Sequence, residues 1–251
     1  MRVKELMEIA VKSGEILLKS GAEIYRVEDT IIRIFGAYGV QCESFVLLSG
    51  IFLSAEGEDG QVVTLVKRIK GHTIDLSRIE LVNSFSRNLQ ENPLEYDDAK
   101  KALHTIENRH RYSFPTRLAV AGANAFVYTL IFKGNAYEGL VALLISLLIY
   151  AIKEKISEIG FFQFFEFFVS GLIAGALSFS ASMLFPSLNL YKVIIGAIMI
   201  LVPGVAITNG IKDALYGDTV SSLYRISEAL FISVAVGSGV ALALTVGFNL
   251  T

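Results

Sequence analysis

Residues 191–211 read YKVIIGAIMILVPGVAITNGI, a stretch with one lysine and no other charge, interrupted by Pro-Gly at 203–204. A bilayer core of about 30 Å takes roughly 20 mostly apolar helical residues, because each adds only about 1.5 Å. Outward from this stretch, comparable runs occupy approximately 115–132, 137–152, 161–184 and 226–248. The run at 137–152 is short and needs its flanking Tyr and Lys residues to reach both interfaces. The hydrophobic fraction of 53% exceeds the roughly 45–50% of soluble domains, even though that range counts glycine. Lys, Arg, Asp and Glu crowd residues 1–113 and thereafter fall almost only between apolar runs. The sequence thus predicts an α-helical integral membrane protein with about five transmembrane helices in 114–251, preceded by a cytoplasmic α/β domain in 1–113.

Short loops rich in Lys and Arg stay on the cytoplasmic side. Arg109, Arg111 and Arg117 precede the first run, Lys153 and Lys155 follow the second, and Lys212 and Arg225 separate the fourth and fifth. The opposite loops carry only Lys133 and Lys192. This places the N-terminus inside and residues 249–251 outside the cytoplasmic membrane. The opening MRVKELMEIAVKSGEILLKSG has no continuous apolar core with a cleavage site, so no signal peptide is expected. With 22 basic and 24 acidic residues, no basic excess points to nucleic acid. The single cysteine, Cys42, has no intramolecular disulfide partner and reads as a small buried hydrophobe.

Within the apolar half, Gly171 and Gly175 form a GxxxG that Ser178 and Ser182 continue. That pattern either seats another helix closely or is a chance match in a Gly-rich sequence. Pro203 removes one backbone bond and clashes with the carbonyl of Met199. Backbone groups freed at membrane depth must be satisfied by protein or water. On the orientation above, the half-helix starting at Pro203 points its positive end toward mid-membrane, which suits an anionic substrate group. The alternative is a plain proline kink. Thr208, Asn209 and Asp213 lie one to three turns further on. No Lys or Arg lies deep in a run, so a carboxylate would be held by backbone N–H groups, by Asn124 and Asn209, or by the marginal Arg117 and Arg225. Glu166, among the phenylalanines of FFQFFEFFVSG, reads as a path residue or an interfacial carboxylate; Glu228 reads as interfacial. The candidate substrate path is therefore Pro203, Gly204, Thr208, Asn209, Asp213, Asn124 and Glu166.

In the charged half, apolar spacing predicts helices over 3–19 and 27–38, joined by SGAEIYR with Gly21 ending the first. Two strands follow, SFVLLSGIFLSAEG (44–57) and QVVTLVKRI (61–69), around the turn-forming GEDG. Charged helices over 75–89 and 94–112 flank Pro93. His72, His104 and His110 lack metal spacing, and there is no CxxC, P-loop or GxSxG, so no metal, cofactor or catalytic residue is expected. Glu23, Arg26 and Glu28 read first as a helix start with local ion pairs.

Four segments together, SGAEIYRVEDT (20–30), SFVLLSGIFLS (44–54), IIGAIMILVPGVAITNGIKDALYGD (194–218) and SLYRISEA (222–229), resemble the threonine/serine exporter family. That family is also met as the larger subunit of a bacterial two-component dicarboxylate (succinate) exporter. The resemblance covers almost the whole chain. It implies efflux of amino acids or small dicarboxylates across the cytoplasmic membrane, driven by an ion or membrane gradient. It directs interest to Gly21, Glu23, Arg26 and Glu28, and to Pro203, Gly204, Asn209, Asp213, Gly217, Asp218 and Arg225, and supplies no catalytic residue. Full-length amino-acid exporters of the family continue into a second membrane half, so this sequence resembles the split form, with a separate small membrane subunit as its implied partner. The expected partners are thus a small carboxylate or amino-acid substrate, the lipid bilayer and that subunit; a homo-oligomer would also suit short helices that enclose little volume. The rival readings are a membrane-tethered cytoplasmic enzyme and a metabolite sensor.

Overall fold

The computed structural model describes residues 1–57, 60–109, 112–159 and 163–250. Expectations attached to Glu58, Asp59, His110, Arg111, Phe161, Phe162 and Thr251 fall outside them. The chain forms two compact units: Met1–His110 with Val205–Ile226, and Arg111–Gly204 with Ser227–Thr251. The segment following the Pro-Gly break clusters with the N-terminal residues.

In the first unit, α1 (Val3–Lys19) and α2 (Ile24–Ala37) carry apolar residues at helical spacing. Leu6, Met7, Ala10, Leu17, Ile24, Val27, Ile31, Ile34 and Phe35 are fully or almost fully buried in one core. The core is completed by one face of a three-stranded antiparallel sheet, β1 (Cys42–Leu47), β2 (Gly50–Glu56) and β3 (Val62–Arg68), through Val46, Ile51, Leu53 and Ala55. α3 (Leu76–Glu91) and α4 (Tyr96–Glu107) add Val82, Phe85, Leu89, Ala99 and Leu103. Asp75 caps α3 by accepting the Arg78 N–H at 3.0 Å.

One expectation is corrected here. The stretch 44–57 is not a single strand: Leu47 pairs with Gly50, and Leu48 and Ser49 form a tight hairpin between β1 and β2. Ser-Gly is the turn signal inside the apolar run. At Gly50 a Cβ would sit 3.0 Å from the Lys67 carbonyl oxygen, so β3 also needs glycine there. β2 and β3 then pair antiparallel, from Gly50↔Arg68 to Glu56↔Val62, on either side of the expected GEDG turn. α2 starts at Ile24 rather than residue 27, and α4 ends at Glu107 rather than 112.

In the second unit, α5 (Phe114–Ile131) and α6 (Ala136–Ile159) run antiparallel. Arg117 meets Tyr150 and Glu154, the Ser146 hydroxyl donates to the Ala121 carbonyl, and Gly139 lies against Phe126. α7 (Gln163–Leu184) and α10 (Thr219–Leu250) run parallel. Their seam settles the GxxxG question: a Cβ on Gly171 would overlap the Val236 carbonyl, and one on Gly175 would come within 2.8 Å of the Ala243 Cβ. α8 (Leu190–Ile198) packs on α5, with Gly196 against Thr129. Large apolar side chains such as Val120, Leu144, Leu148 and Leu242 point outward, while Thr129, Ser146, Ser170 and Ser178 are buried. An exterior this apolar around small and hydroxyl-bearing contacts is the pattern of helices solvated by lipid.

Among the described residues, α7 and α10 are individually long and apolar enough to cross a membrane, and a third crossing is counted if α8 and the segment beyond the break are taken as one. The expected runs 115–132 and 137–152 are helical as α5 and α6, and 226–248 lies wholly inside α10.

Candidate functional site

The Pro-Gly break is a true interruption. α8 ends at Ile198, one 3₁₀ turn covers Met199–Leu201, Val202 is extended, and α9 (Gly204–Leu215) begins afresh. Pro203 has no N–H to give and disfavours helical geometry at the residue before it, so the extended Val202 follows directly. Beside the break lies a cavity of about 410 Å³, lined by Leu201, Val202, Pro203, Val236 and Gly237, with Ser233 as its one polar side chain. That hydroxyl donates to the Ala229 carbonyl. The cavity wall therefore offers no charge to an ionic substrate.

The charged and amide groups collect instead within the first unit. Asn209 and Asp213 stand one turn apart on the buried face of α9. Gly217, at φ +92°, closes that helix: its N–H donates to the Ala214 carbonyl, and the Asp218 N–H to the Asp213 carbonyl. The resulting tight turn brings α10 back alongside, and Arg225 reaches Asp213. Gly210 keeps the approach close, since a Cβ there would meet Ile226 at 3.0 Å.

Facing them is the link between α1 and α2. Gly21, at φ +83°, ends α1 by the same device, with its N–H donating to Leu18 and that of Ala22 to Leu17. A side chain there would be strained and would lie 3.1 Å from the Thr73 carbonyl oxygen. The link is gripped through its main chain. The Asn209 amide donates to the Gly21 carbonyl at 2.8 Å, and Arg225 Nη2 donates to the Ala22 carbonyl at 2.6 Å. Asp213 Oδ1 accepts the Ile24 N–H at 3.0 Å, and its Oδ2 accepts Arg225 Nε at 2.9 Å. Asp213 is fully buried, and Asn209 and Arg225 nearly so.

A second ionic set flanks the first. Glu23 accepts from Arg26 at 2.7 Å and from Lys212 at 2.9 Å. Burial would push its carboxyl up, but these two hydrogen bonds outweigh it and hold the group down at about 2. Tyr25 stacks on Tyr216 with ring centroids 3.9 Å apart. Glu28 accepts the Val46 N–H at 3.0 Å, and burial, with help from nearby Asp218, raises its carboxyl above the usual range.

Of the residues singled out by sequence, the fold gathers Gly21, Glu23, Arg26, Asn209, Asp213 and Arg225 into one cluster, with Gly217 shaping the turn and Glu28 near Asp218 at its side. Pro203 and Gly204 form the break, and Thr208 lies on the exposed face of α9. Asn124 is half-buried on α5. Glu166 is buried in the second unit and paired with Lys153 at 3.1 Å. Lys212, Tyr25 and Tyr216 join the cluster without having been singled out; each lies within or beside a quoted motif, but no local pattern marks it. The Cys42 thiol is pushed up to about 11 by burial and is no nucleophile at neutral pH. Among the described residues no group of three metal-ligating side chains is present.

Residues 8–247 match a family model described as "Putative threonine/serine exporter". Among curated proteins, the chain is 22% identical over 248 residues to a "Probable threonine/serine exporter" of Mycobacterium tuberculosis, covering 97% of this chain and 46% of that one. It is likewise 22% identical over 251 residues to a "Threonine/serine exporter" of Corynebacterium glutamicum, covering 97% and 51%. The chain thus spans about half the length of the curated relatives it matches. No solved structure matches it.

Proposed function

The chain belongs to the threonine/serine exporter family, and from that premise we propose that it exports small amino acids, threonine and serine first, across the cytoplasmic membrane as a component of a secondary transporter. The observation that carries the reading is a family match running through both compact units and across the Pro-Gly break.

The proposed topology has five crossings, N-terminus inside and C-terminus outside. α10, at 32 residues, is about 48 Å long against a hydrocarbon core of about 30 Å. Its first two turns, which belong to the first unit, can therefore stand outside the core. α8 and its 3₁₀ turn reach only about 20 Å, so the start of α9 completes the fourth crossing. On that topology Asn209, Asp213 and Arg225 lie toward the cytoplasmic side. The opposite face of α9, with Ile207, Ile211 and Leu215 exposed at one-turn spacing, meets lipid or a neighbouring subunit. We propose a separate small membrane subunit as its partner.

The test is export from cells loaded with threonine, serine or succinate and expressing this chain alone or with the small subunit. Threonine or serine export that depends on the chain supports the proposal. Succinate export without amino-acid export moves the substrate class to dicarboxylates, and no export in any combination removes the transporter reading.

A further inference from the structure

We infer that Asn209, Asp213 and Arg225 form the recognition site for the ammonium and carboxylate groups of a zwitterionic amino acid, and that the Gly21–Ile24 main chain occupies that site as an internal stand-in for substrate. The inference rests on the exporter reading and gives it a location.

A buried carboxylate and a buried guanidinium are retained only when nearly every polar atom is paired. Here Asp213 and Arg225 pair with each other, and their other contacts on this side are not to side chains but to main-chain groups of one short segment. That segment offers two carbonyl acceptors, at Gly21 and Ala22, and one N–H donor, at Ile24. An α-amino acid offers the same complement in charged form, with two carboxylate oxygens and an ammonium group on one carbon. Its carboxylate can replace the Ala22 carbonyl on Arg225, and its ammonium can replace the Ile24 N–H on Asp213 Oδ1. Asn209 is left for the second carboxylate oxygen or a side-chain hydroxyl. Each exchanged bond turns from ion-to-neutral into ion-to-ion, which adds Coulomb attraction at a buried site and lets a small zwitterion compete with a tethered peptide.

Charge balance narrows the substrate class. One cation and one anion match a net-neutral zwitterion. A dicarboxylate would find Arg225 but meet the Asp213 carboxylate, and Arg26 and Lys212 are already committed to Glu23. Release of the link also has a mechanism. Gly21 is the hinge, and the Glu23 to Lys212 pair with the Tyr25 to Tyr216 stack are the clasps that hold the α2 terminus down. Substrate that prefers the open link shifts the population toward it.

The test uses the full chain in lipid nanodiscs with labelled threonine. Unmodified threonine should bind, while N-acetylthreonine, threonine amide and succinate should compete at least roughly tenfold more weakly, since each lacks one half of the match. Hydrogen exchange read at Ile24 should speed up on adding threonine, because its N–H loses Asp213. Gly21→Ala, which strains the link in its docked position, should raise threonine affinity, whereas Arg225→Lys should lower it roughly tenfold. A merely structural cluster gives no gain from Gly21→Ala. Threonine binding with unchanged exchange at Ile24 and no effect of Gly21→Ala would overturn the site while leaving the exporter reading intact. If wild-type chain with its small subunit neither binds nor exports threonine or serine, the exporter reading falls and the site with it.

Discussion

Replacing Gly239 by alanine, with Gly237→Ala as its control, probes the α7 to α10 seam. A Cβ at Gly239 would overlap the Phe168 carbonyl oxygen and lie 2.7 Å from the Leu172 nitrogen, whereas ordinary contact begins near 3.4 Å. The obstacle is backbone, so no side chain can turn aside. The two helices must separate by roughly 1 Å, and a gap of that size forfeits up to about half of each dispersion contact along the seam. Overpacking of this kind costs about 1–3 kcal/mol, against a helix-propensity gain of up to about 1 kcal/mol for Gly→Ala. A Cβ at Gly237 meets nothing within 4 Å, so there the propensity gain stands alone. Thermal unfolding in detergent should show Gly239→Ala destabilised by about 1–2 kcal/mol and Gly237→Ala unchanged or slightly more stable. Equal behaviour of the two variants would refute the close parallel packing of these helices.

Three further outcomes follow from the same geometry. Lys153→Met leaves Glu166 buried without its cation and should cost about 2–3 kcal/mol, the half-exposed lysine placing it at or below the low end for a broken buried pair; Lys153→Met with Glu166→Gln should recover most of that in a double-mutant cycle, and no recovery would contradict the pairing. Glu23 has its carboxyl depressed to about 2 in the folded chain, so its stabilising contribution is complete above the unfolded value near 4.5 and is lost as pH falls toward 2. Glu23→Gln should therefore flatten the stability profile between pH 5 and 2, measured by unfolding at stepped pH, and an unchanged slope would contradict the clasp. Pro203→Ala lets α8 run on toward α9 and should reduce threonine efflux severalfold with normal membrane insertion; full efflux would remove the break from the mechanism.

The sequence reading was strong where one physical demand dominates. Apolar length marked the runs that became α5 to α8 and α10, and Gly21 announced the end of α1 because only glycine accepts its left-handed geometry beside Thr73. It was weaker at 44–57, where continuous β-branched and aromatic residues hid the Leu48 to Ser49 turn and three strands looked like two. The Pro203 break was legible from the ring's missing donor. Asn209 and Asp213 follow it by one to three turns along the chain, yet their partners are the carbonyls of Gly21 and Ala22 and the N–H of Ile24. Main-chain atoms carry no residue identity, so no pattern of letters could show that pairing. Arg225 was chosen by family resemblance, and its contact with Asp213 depends on the turn at Gly217, which is visible only as a glycine. Glu166 stood out as a carboxylate among phenylalanines, while Lys153, which neutralises it, lies on a different helix.

The most direct measurement is efflux of labelled threonine from proteoliposomes that hold this chain with the proposed small membrane subunit, run beside liposomes carrying Asp213→Asn in the same chain. The account predicts gradient-dependent loss of threonine from the first and at least roughly tenfold slower loss from the second. Equal rates from both, or no efflux from the wild type, would contradict it.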